Sequence, residues 1–434
     1  MKKLFASVGL AALGVSTLHA QYSPGPTPAE LAKPWSVAVT LRGFYDDNPL
    51  TINSGNSAPG ALSRNSGFGE EISPSATFNH TVNDTALSLS YVFDWQNYET
   101  TDSHSDSSHL FNASVKQSFS ERYSMQASDS FIIAQEPTVL DQSGPVASPL
   151  YTRGDNIHND GTISFTAGLT AKLDLQLSYV NNLYAYQQLG AQVSTPNDVP
   201  SRSALLDRME QLATVNLNWK IMNDLTGVLG YSYGHEGYTS PEAIIYTGTV
   251  PTVFSRVRDS DSHFFFVGAD ERFTQQLNGS IRVGGEYLDY YNANADDLSP
   301  YVDANLTWTY MADSSAQAGV KHEHSATDVV GALPTAGANP VLDSETTAAY
   351  LSLNQKITGA FTGGLLGQFQ HSVFNGGSVN GQSEDFFVVG LNFDYKFNPY
   401  FSAETGYNWY KLVSDVSGRD YTRNMVYIGV RATY

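Results

Sequence analysis

The sequence predicts an all-β fold: a transmembrane, antiparallel, up-and-down β-barrel of about 18 strands with both termini on the periplasmic side. Three observations predict it. Apolar and polar residues alternate over stretches of ten or more positions, the period of a strand with two different faces. The links between these stretches alternate between short and long. The final stretch keeps period two up to an aromatic last residue, Tyr434.

The chain opens with Lys2 and Lys3, an apolar run from Leu4 to Leu18, and Leu18-His19-Ala20 before Gln21. That order is the charged, apolar and small-residue sequence of a secretory leader, with cleavage expected at Ala20/Gln21. Residues 1–20 are therefore read as a signal peptide, 21–34 as a Pro-rich N-terminal segment and 35–434 as the barrel. The leader takes two of the 23 basic residues with it and leaves all 43 acidic ones. A chain so acidic lacks the basic footprint of a nucleic-acid binder.

Composition narrows the class further. With 0 cysteines, neither a disulfide framework nor a thiolate metal site can form. No run beyond the leader approaches the roughly 18 apolar residues of a spanning helix. The 26 tyrosines, 22 phenylalanines and 36 glycines suit a barrel that is apolar outside and wet inside.

Strands are expected at 35–45, 67–80, 85–98, 109–119, 123–135, 157–170, 173–186, 208–219 and 225–235. The second half supplies 262–271, 276–290, 299–311, 315–324, 345–355, 361–371, 384–396, 400–412 and 421–434. In the third of these, Leu87, Leu89, Tyr91, Phe93 and Trp95 share one face, with Ser88, Ser90, Asp94 and Gln96 on the other. Leu173 to Tyr184, Pro300 to Tyr310 and Glu384 to Lys396 repeat the pattern. Soluble sandwiches also alternate, but their strands are usually about five or six residues long.

Short links such as 81–84, 120–122, 171–172, 221–224 and 397–399 alternate with long ones such as 46–66, 136–156, 187–207, 236–261 and 325–344. Short periplasmic turns and long external loops are the outer-membrane pattern. Aromatic residues collect at strand ends, as amphipathic rings do at the headgroup level. Trp95, Tyr98, Tyr184, Tyr186, Tyr231, Tyr233, Tyr290 and Trp409 fall toward the outer rim. Trp35, Tyr123, Trp219, Trp308, Tyr310, Tyr395, Tyr400 and Tyr434 fall toward the inner one.

The last strand carries Val426, Ile428, Val430, Ala432 and Tyr434 on one face. This is the kind of C-terminal strand that outer-membrane assembly machinery is expected to read.

Gly43-Phe44-Tyr45-Asp46-Asp47-Asn48-Pro49 and Ser128-Asp129-Ser130-Phe131-Ile132-Ile133-Ala134-Gln135-Glu136-Pro137 resemble segments of the putative beta-barrel porin 2 family. So does Tyr407 to Tyr434, with Ser414-Asp415, Gly418-Arg419-Asp420-Tyr421 and Arg423-Asn424. The resemblance covers most of the mature chain. It implies a bacterial outer-membrane barrel with a pore, and it carries over no catalytic, cofactor-binding or metal-binding residues.

Candidate chemistry is sparse. Ser103 to His109 holds two histidines and Asp106 in a stretch read as an external loop, where nothing fixes a metal geometry. In Lys321-His322-Glu323-His324, both histidines are placed on one strand face near the outer rim, lying at the interface. Neither a nucleophile elbow nor a phosphate-binding glycine loop occurs. The reading is a protein that is not an enzyme, with no catalytic residues, cofactor or metal.

Asp46-Asp47, Asp296-Asp297, Asp102, Asp106, Asp155, Asp259 and Asp261 make the outer loops anionic, offset in part by Arg64, Arg153, Arg202, Arg256 and Arg258. Lumen-facing positions are nearly balanced. Arg42, Lys116, Arg282, Lys321, Lys396, Arg423 and Arg431 stand against Glu71, Asp94, Asp174, Glu286, Asp303, Glu323, Asp394 and Glu404.

One position breaks the pattern. Asp129 falls on the lipid face among Tyr123, Met125, Ala127, Phe131 and Ile133. A mid-membrane charge costs roughly 2–4 kcal/mol for Arg or Lys and less for Asp. A β-bulge near Ser128 to Ser130 that turns Asp129 inward is the favoured explanation, against a shifted strand or a contact with another protomer.

These features point to passive diffusion of small hydrophilic solutes through an aqueous lumen narrowed by inward-folded loops. The alternative is a non-enzymatic barrel for polysaccharide secretion or surface architecture. The expected partners are outer-membrane lipids and lipopolysaccharide, the assembly machinery through the C-terminal strand, and small solutes, with no nucleic acid. The oligomeric state is not legible.

Overall fold

The computed structural model describes residues 25–53, 66–99, 104–134, 155–186, 200–247, 250–331 and 340–434. The expected leader 1–20 and cleavage site lie outside these residues, as do Arg64, Asp102 and Arg153. The chain enters through a short helix, α1 (Pro28–Leu31), and then builds β1 (Trp35–Asp46), β2 (Gly67–Val82), β3 (Thr85–Glu99), β4 (His104–Ser118) and β5 (Tyr123–Ala134). Next come β6 (Asn156–Gly168), β7 (Leu173–Tyr186), a helix α2 (Arg202–Leu206), β8 (Arg208–Lys220) and β9 (Leu225–Tyr238). A loop hairpin, β10 (Ala243–Thr247) and β11 (Val250–Phe254), ends in a 3-10 turn at Ser255–Arg258. The wall resumes with β12 (Ser260–Arg272), β13 (Leu277–Tyr290), β14 (Ala295–Met311), β15 (Ser314–Ser325) and β16 (Val341–Lys356). It finishes with β17 (Phe361–Gly376), β18 (Ser383–Asn398), β19 (Phe401–Ser414) and β20 (Tyr421–Thr433).

Eighteen of these strands form one sheet in which each pairs antiparallel with its neighbours. β9 pairs with β12 across the loop hairpin, and β20 pairs with β1, so the sheet closes on itself. Closure leaves no edge strand, which a lipid environment requires. At the seam Val37 and Tyr434 exchange backbone hydrogen bonds of 3.2 and 2.8 Å. The Tyr434 ring lies 5.6 Å from that of Trp35.

Alternation decides which side chain sees lipid. Along β1, Trp35, Val37, Val39, Leu41 and Tyr45 are exposed, while Ser36, Thr40, Arg42 and Asp46 are buried. On β20 the outward Val426, Ile428 and Val430 oppose the inward Arg423, Tyr427 and Arg431. Large apolar side chains are thus exposed to a solvent that accepts them.

Five of the eight periplasmic turns share a construction. Ser120, Thr170, Thr274, Thr358 and Asn398 each accept hydrogen bonds from the backbone N–H groups two and three positions on. Such local side-chain bonds turn the backbone without a glycine. The two-residue links 83–84 and 312–313 instead place Asn83 at φ 50° and Asp313 at φ 60°, a conformation that Asn and Asp tolerate.

Three expectations need correction. The outer links 100–103 and 291–294 are short, so long and short links do not alternate strictly. Asp46 lies on β1, His104, Asp106 and His109 on β4, Asp261 on β12, and Asp296 and Asp297 on β14, rather than in loops. Those strands continue past the apolar band, where both faces meet water and period two leaves no apolar trace. β14 has 17 residues, against about 9–11 needed to cross.

The second correction concerns the aromatic rim. Tyr98, Tyr186 and Tyr290 are buried and point into the barrel. The third is Asp129. Its strand pairs with β4 and β6 without a register shift, so no bulge turns it inward. It shares the outward rows of Ala113 and Gly161 and accepts a 3.0 Å hydrogen bond from Asn159 Nδ2.

Candidate functional site: the barrel lumen

Strand register sends all the charges assigned to the lumen inward, and two arcs of the wall treat them differently. Around β1–β3 and β17–β20 most inward side chains are buried, although Ser88, Ser90, Asn392 and Asp394 are half-buried and Lys396 is exposed. Arg42 binds Glu71 at 3.2 Å and also Glu404, and its guanidinium lies 4.4 Å from the Tyr427 ring centroid. Arg423 holds Asp46 through Nε at 2.8 Å and Nη2 at 2.6 Å. Apolar groups fill the space between them: Phe44, Tyr98, Met425 and Tyr427 form one cluster. A buried charge is tolerated only when paired and hydrogen-bonded, and these are.

The adjoining arc, β4–β8, keeps half-buried polar groups on its inner face. Asn112, Ser114, Ser130, Thr162, Ser178, Thr214 and Asn218 line it, with the Lys220–Asp174 pair at 2.7 Å. Further round, Arg282 makes a fork of 2.8 and 3.0 Å with Asp270. Lys321 meets Glu323 at 2.6 Å. The Lys321-to-His324 stretch divides: Lys321 and Glu323 face the lumen, and His322 turns outward to Thr347 and Glu345. His324, expected on the interface with His322, is instead buried at the rim with its Nδ1 3.0 Å from Asp343. Among the described residues no group of three or more His, Asp or Glu could hold a metal ion.

The periplasmic end is occupied by the N-terminal segment. Thr27-Pro28-Ala29-Glu30 starts α1 with a reciprocal cap: Thr27 N donates to Glu30 Oε2 at 2.7 Å, and Glu30 N to Thr27 Oγ1 at 3.3 Å. A Thr with Glu three positions on, and Pro at the first helical position, is a helix-start pattern. Glu30 is only 2% exposed. Arg431 grips its carboxylate through Nε at 3.0 Å and Nη2 at 2.6 Å, and Thr433 Oγ1 donates at 2.7 Å. Asn79 Nδ2 donates to the Leu31 and Lys33 carbonyls at 2.8 and 2.9 Å. Burial acts to raise the Glu30 pKa, yet the hydrogen bonds and charge of Arg431 outweigh it and hold the carboxyl below its ordinary value.

The outer end is covered by loops from separate arcs. Tyr186, Ala204, Leu205, Leu206, Ile244 and Ile245 form an apolar cluster joining α2 to the loop hairpin. Arg258 locks it to the β15–β16 loop. Its Nε donates to Val341 O at 2.8 Å, Nη1 to Thr327 O at 3.0 Å and Leu205 O at 3.4 Å, and Nη2 to Val329 O at 2.7 Å. Arg419, from the β19–β20 loop, binds Asp328 at 2.9 Å and Glu384 at 3.0 Å. Asp207 and Asp259 each cap the end of a strand, accepting from Tyr186 N at 2.7 Å and Tyr238 N at 2.8 Å. Burial raises the pKa of both. Arg258, read from sequence as an exposed loop charge, is thus the buried tie of the outer loops.

Residues 36–434 match the family described as Putative beta-barrel porin 2. The chain belongs to that family. It is a bacterial outer-membrane β-barrel of the porin type. No curated protein sequence matches it. Among solved structures it is similar to Acinetobacter baumannii OccAB4, at 10% identity and TM-score 0.44, over 94% of this chain and 100% of that one. Pseudomonas aeruginosa OccK9 (OpdG) shows 10% identity and TM-score 0.45, over 93% of this chain and 100% of that one. Acinetobacter baumannii OccAB2 shows 12% identity and TM-score 0.41, over 93% and 99%. The barrel architecture itself stands on the register of this porin-family chain's own strands.

Proposed function

We propose that the barrel is a passive channel for small hydrophilic solutes, conducting along the polar inner face of β4–β8. The observation that carries this reading is the contrast between the two arcs of the wall. Polar side chains on β4–β8 stay half-buried along most of the wall, while most of those on β1–β3 and β17–β20 are buried. Eighteen strands enclose a lumen wide enough for water. Packing one arc and folding loops over one end leaves a narrowed path rather than a wide one, with selectivity set by radius and charge.

Export by removal of a leader at Ala20/Gln21, and recognition of the final strand during assembly, belong to the same proposal and rest on the sequence. Lipopolysaccharide is the proposed surrounding of the outer rim. Planar-bilayer recording of the purified, refolded barrel tests the function. Discrete conductance steps that fall as sugars or polymers of increasing size are added support it. A folded barrel that stays silent at all voltages would sink it.

A further inference from the structure

Asp129 stands on the lipid face with apolar residues below and above it: Tyr123, Met125 and Ala127 toward the periplasm, Phe131 and Ile133 toward the outside. It is not isolated. The outward rows that cross β5, β6 and β7 also carry Asn159 and Asn181. Asn159 donates to Asp129, while the Asn181 amide and the Tyr179 hydroxyl make no side-chain hydrogen bond among the described residues. Lipid offers such groups nothing, so polar residues within a membrane gather where another protein surface can meet them.

Their placement is self-complementary. Gly161 lies between Asp129 and Asn181 in one row of paired residues. Counted from the periplasmic strand ends, Asp129 is six residues above Tyr123 and Tyr179 six above Leu173. Asn159 is nine above Gly168, and Asn181 eight above Leu173. Asp129 and Tyr179 therefore flank β6 at matching distances from the periplasmic turns, while Asn159 lies on β6 itself and Asn181 beside it on β7. A two-fold axis along the membrane normal, passing in front of Gly161, sets one copy's Asp129 against the other's Tyr179. The tilt of β6, roughly 35–45° in such barrels, carries Asn159 off that axis toward β5, so the same operation brings it to Asn181 of the other copy. Gly161, without a side chain, sits at the closest approach.

We propose that the barrel pairs with a second copy of itself through β5–β7. The Asp129 carboxylate accepts from the Tyr179 hydroxyl of the other copy, and Asn159 and Asn181 exchange amide hydrogen bonds. Two copies of one patch meeting in this way form an isologous interface, and small residues at its centre let the walls approach.

The absence of cysteine makes the test direct. Gly161→Cys places one thiol at the axis; Leu351→Cys, outward on β16 and 50% exposed, places one on the far side. Outer membranes of each variant are treated with a membrane-permeant oxidant or a short bifunctional maleimide and run on gels. Heat-modifiable mobility identifies the folded barrel first. The expected result is a band of twice the chain mass from G161C and none from L351C. Adding Tyr179→Phe or Asp129→Leu to G161C should lower the yield about ten-fold, the loss of the two symmetry-related Asp129–Tyr179 hydrogen bonds at the modest strength such bonds have within a membrane. Y179F removes a single hydroxyl, so it keeps the test open if D129L fails to fold. The proposal is overturned by folded G161C that gives no dimer band, by equal yields from L351C, by a band of another mass, or by a yield indifferent to Y179F.

Discussion

Replacing Glu30 with alanine should release the N-terminal segment from the barrel without unfolding the wall. In the intact protein its carboxylate accepts two hydrogen bonds from Arg431 and one from Thr433. Removing one partner of a buried ion pair costs about 3–5 kcal/mol, because the other charge is left uncompensated. The cost falls on docking rather than on the barrel, since residues 28–33 can leave the lumen while β1 stays paired to β2 and β20. What remains to hold the segment is chiefly the Asn79 amide on two carbonyls, with each bond contributing about 1 kcal/mol net. A loss of about 3 kcal/mol lowers the docked fraction relative to the free one by roughly a hundred-fold. Hydrogen exchange at the amides of Leu31 and Lys33, which donate to Thr27 O and Glu30 O at 3.0 and 3.1 Å, should accelerate accordingly. The same release should follow acidification of the unmodified protein. Because the Glu30 pKa is depressed in the docked state, its contribution is complete above the free value of 4.5 and is lost as pH falls through the docked value. Exchange should therefore be flat from neutral pH down to about 4.5 and rise below it, after correction for the intrinsic pH dependence of exchange. The E30A variant should show no such step. Exchange in E30A within two-fold of the original, measured near neutral pH, would refute the reasoning.

Arg258→Met should loosen the outer loops. It strands four carbonyl acceptors, at about 1–3 kcal/mol for each one that water cannot reach, so proteolysis within 240–259 and larger, noisier conductance steps are expected. Cation preference, measured as reversal potential, should be present at low KCl and weaken sharply at high KCl. Exposed mouth charges are screened beyond about 10 Å at 0.1 M, whereas the lumen pairs are already compensated; anion selectivity at low salt would contradict this. Deleting Tyr434 removes both hydrogen bonds to Val37 and the ring beside Trp35. It should cut outer-membrane yield far more than Trp219→Ala, which removes an exposed aromatic from the same rim; equal yields would show that the terminal residue has no special part in assembly.

The barrel was legible because lipid and lumen impose opposite demands on alternate residues, and each strand repeats them for ten positions or more. Where only one demand operates, the trace vanishes. Ser105, Asp106 and Ser107, or Asp296 and Asp297, extend the wall beyond the membrane, and with water on both faces they read as loop. The N-terminal latch was legible in principle, since Thr27-Pro28-Ala29-Glu30 spells a helix start. What could not be read is that Glu30 finds Arg431 some four hundred positions later, because only barrel closure brings the two ends of the chain together. Arg258 is the harder case. Its partners are backbone carbonyls from three segments, and carbonyls leave no mark on a sequence.

Period two reports which way a side chain points, not what it meets there. Phe44 and Met425 obey the inward parity of Arg42 and Arg423, yet they pack against one another instead of facing water. An inward row that mixes Ser, Thr, Arg and Phe is equally compatible with a wet wall and a filled one. The difference is set by what stands opposite across the lumen, and that depends on curvature and on which loops turn in. On β4–β8 the inward row is mostly Ser, Thr, Asn and Gln, with few rings to fill space. That composition is what supports the proposed path along this arc. The same logic applies outside. A strand whose outward row is wholly apolar needs only lipid, whereas the row through Asp129, Asn181 and Gln211 departs from the rule without a bulge to excuse it. In a barrel, then, a parity violation that the backbone does not correct marks a surface with something other than lipid against it.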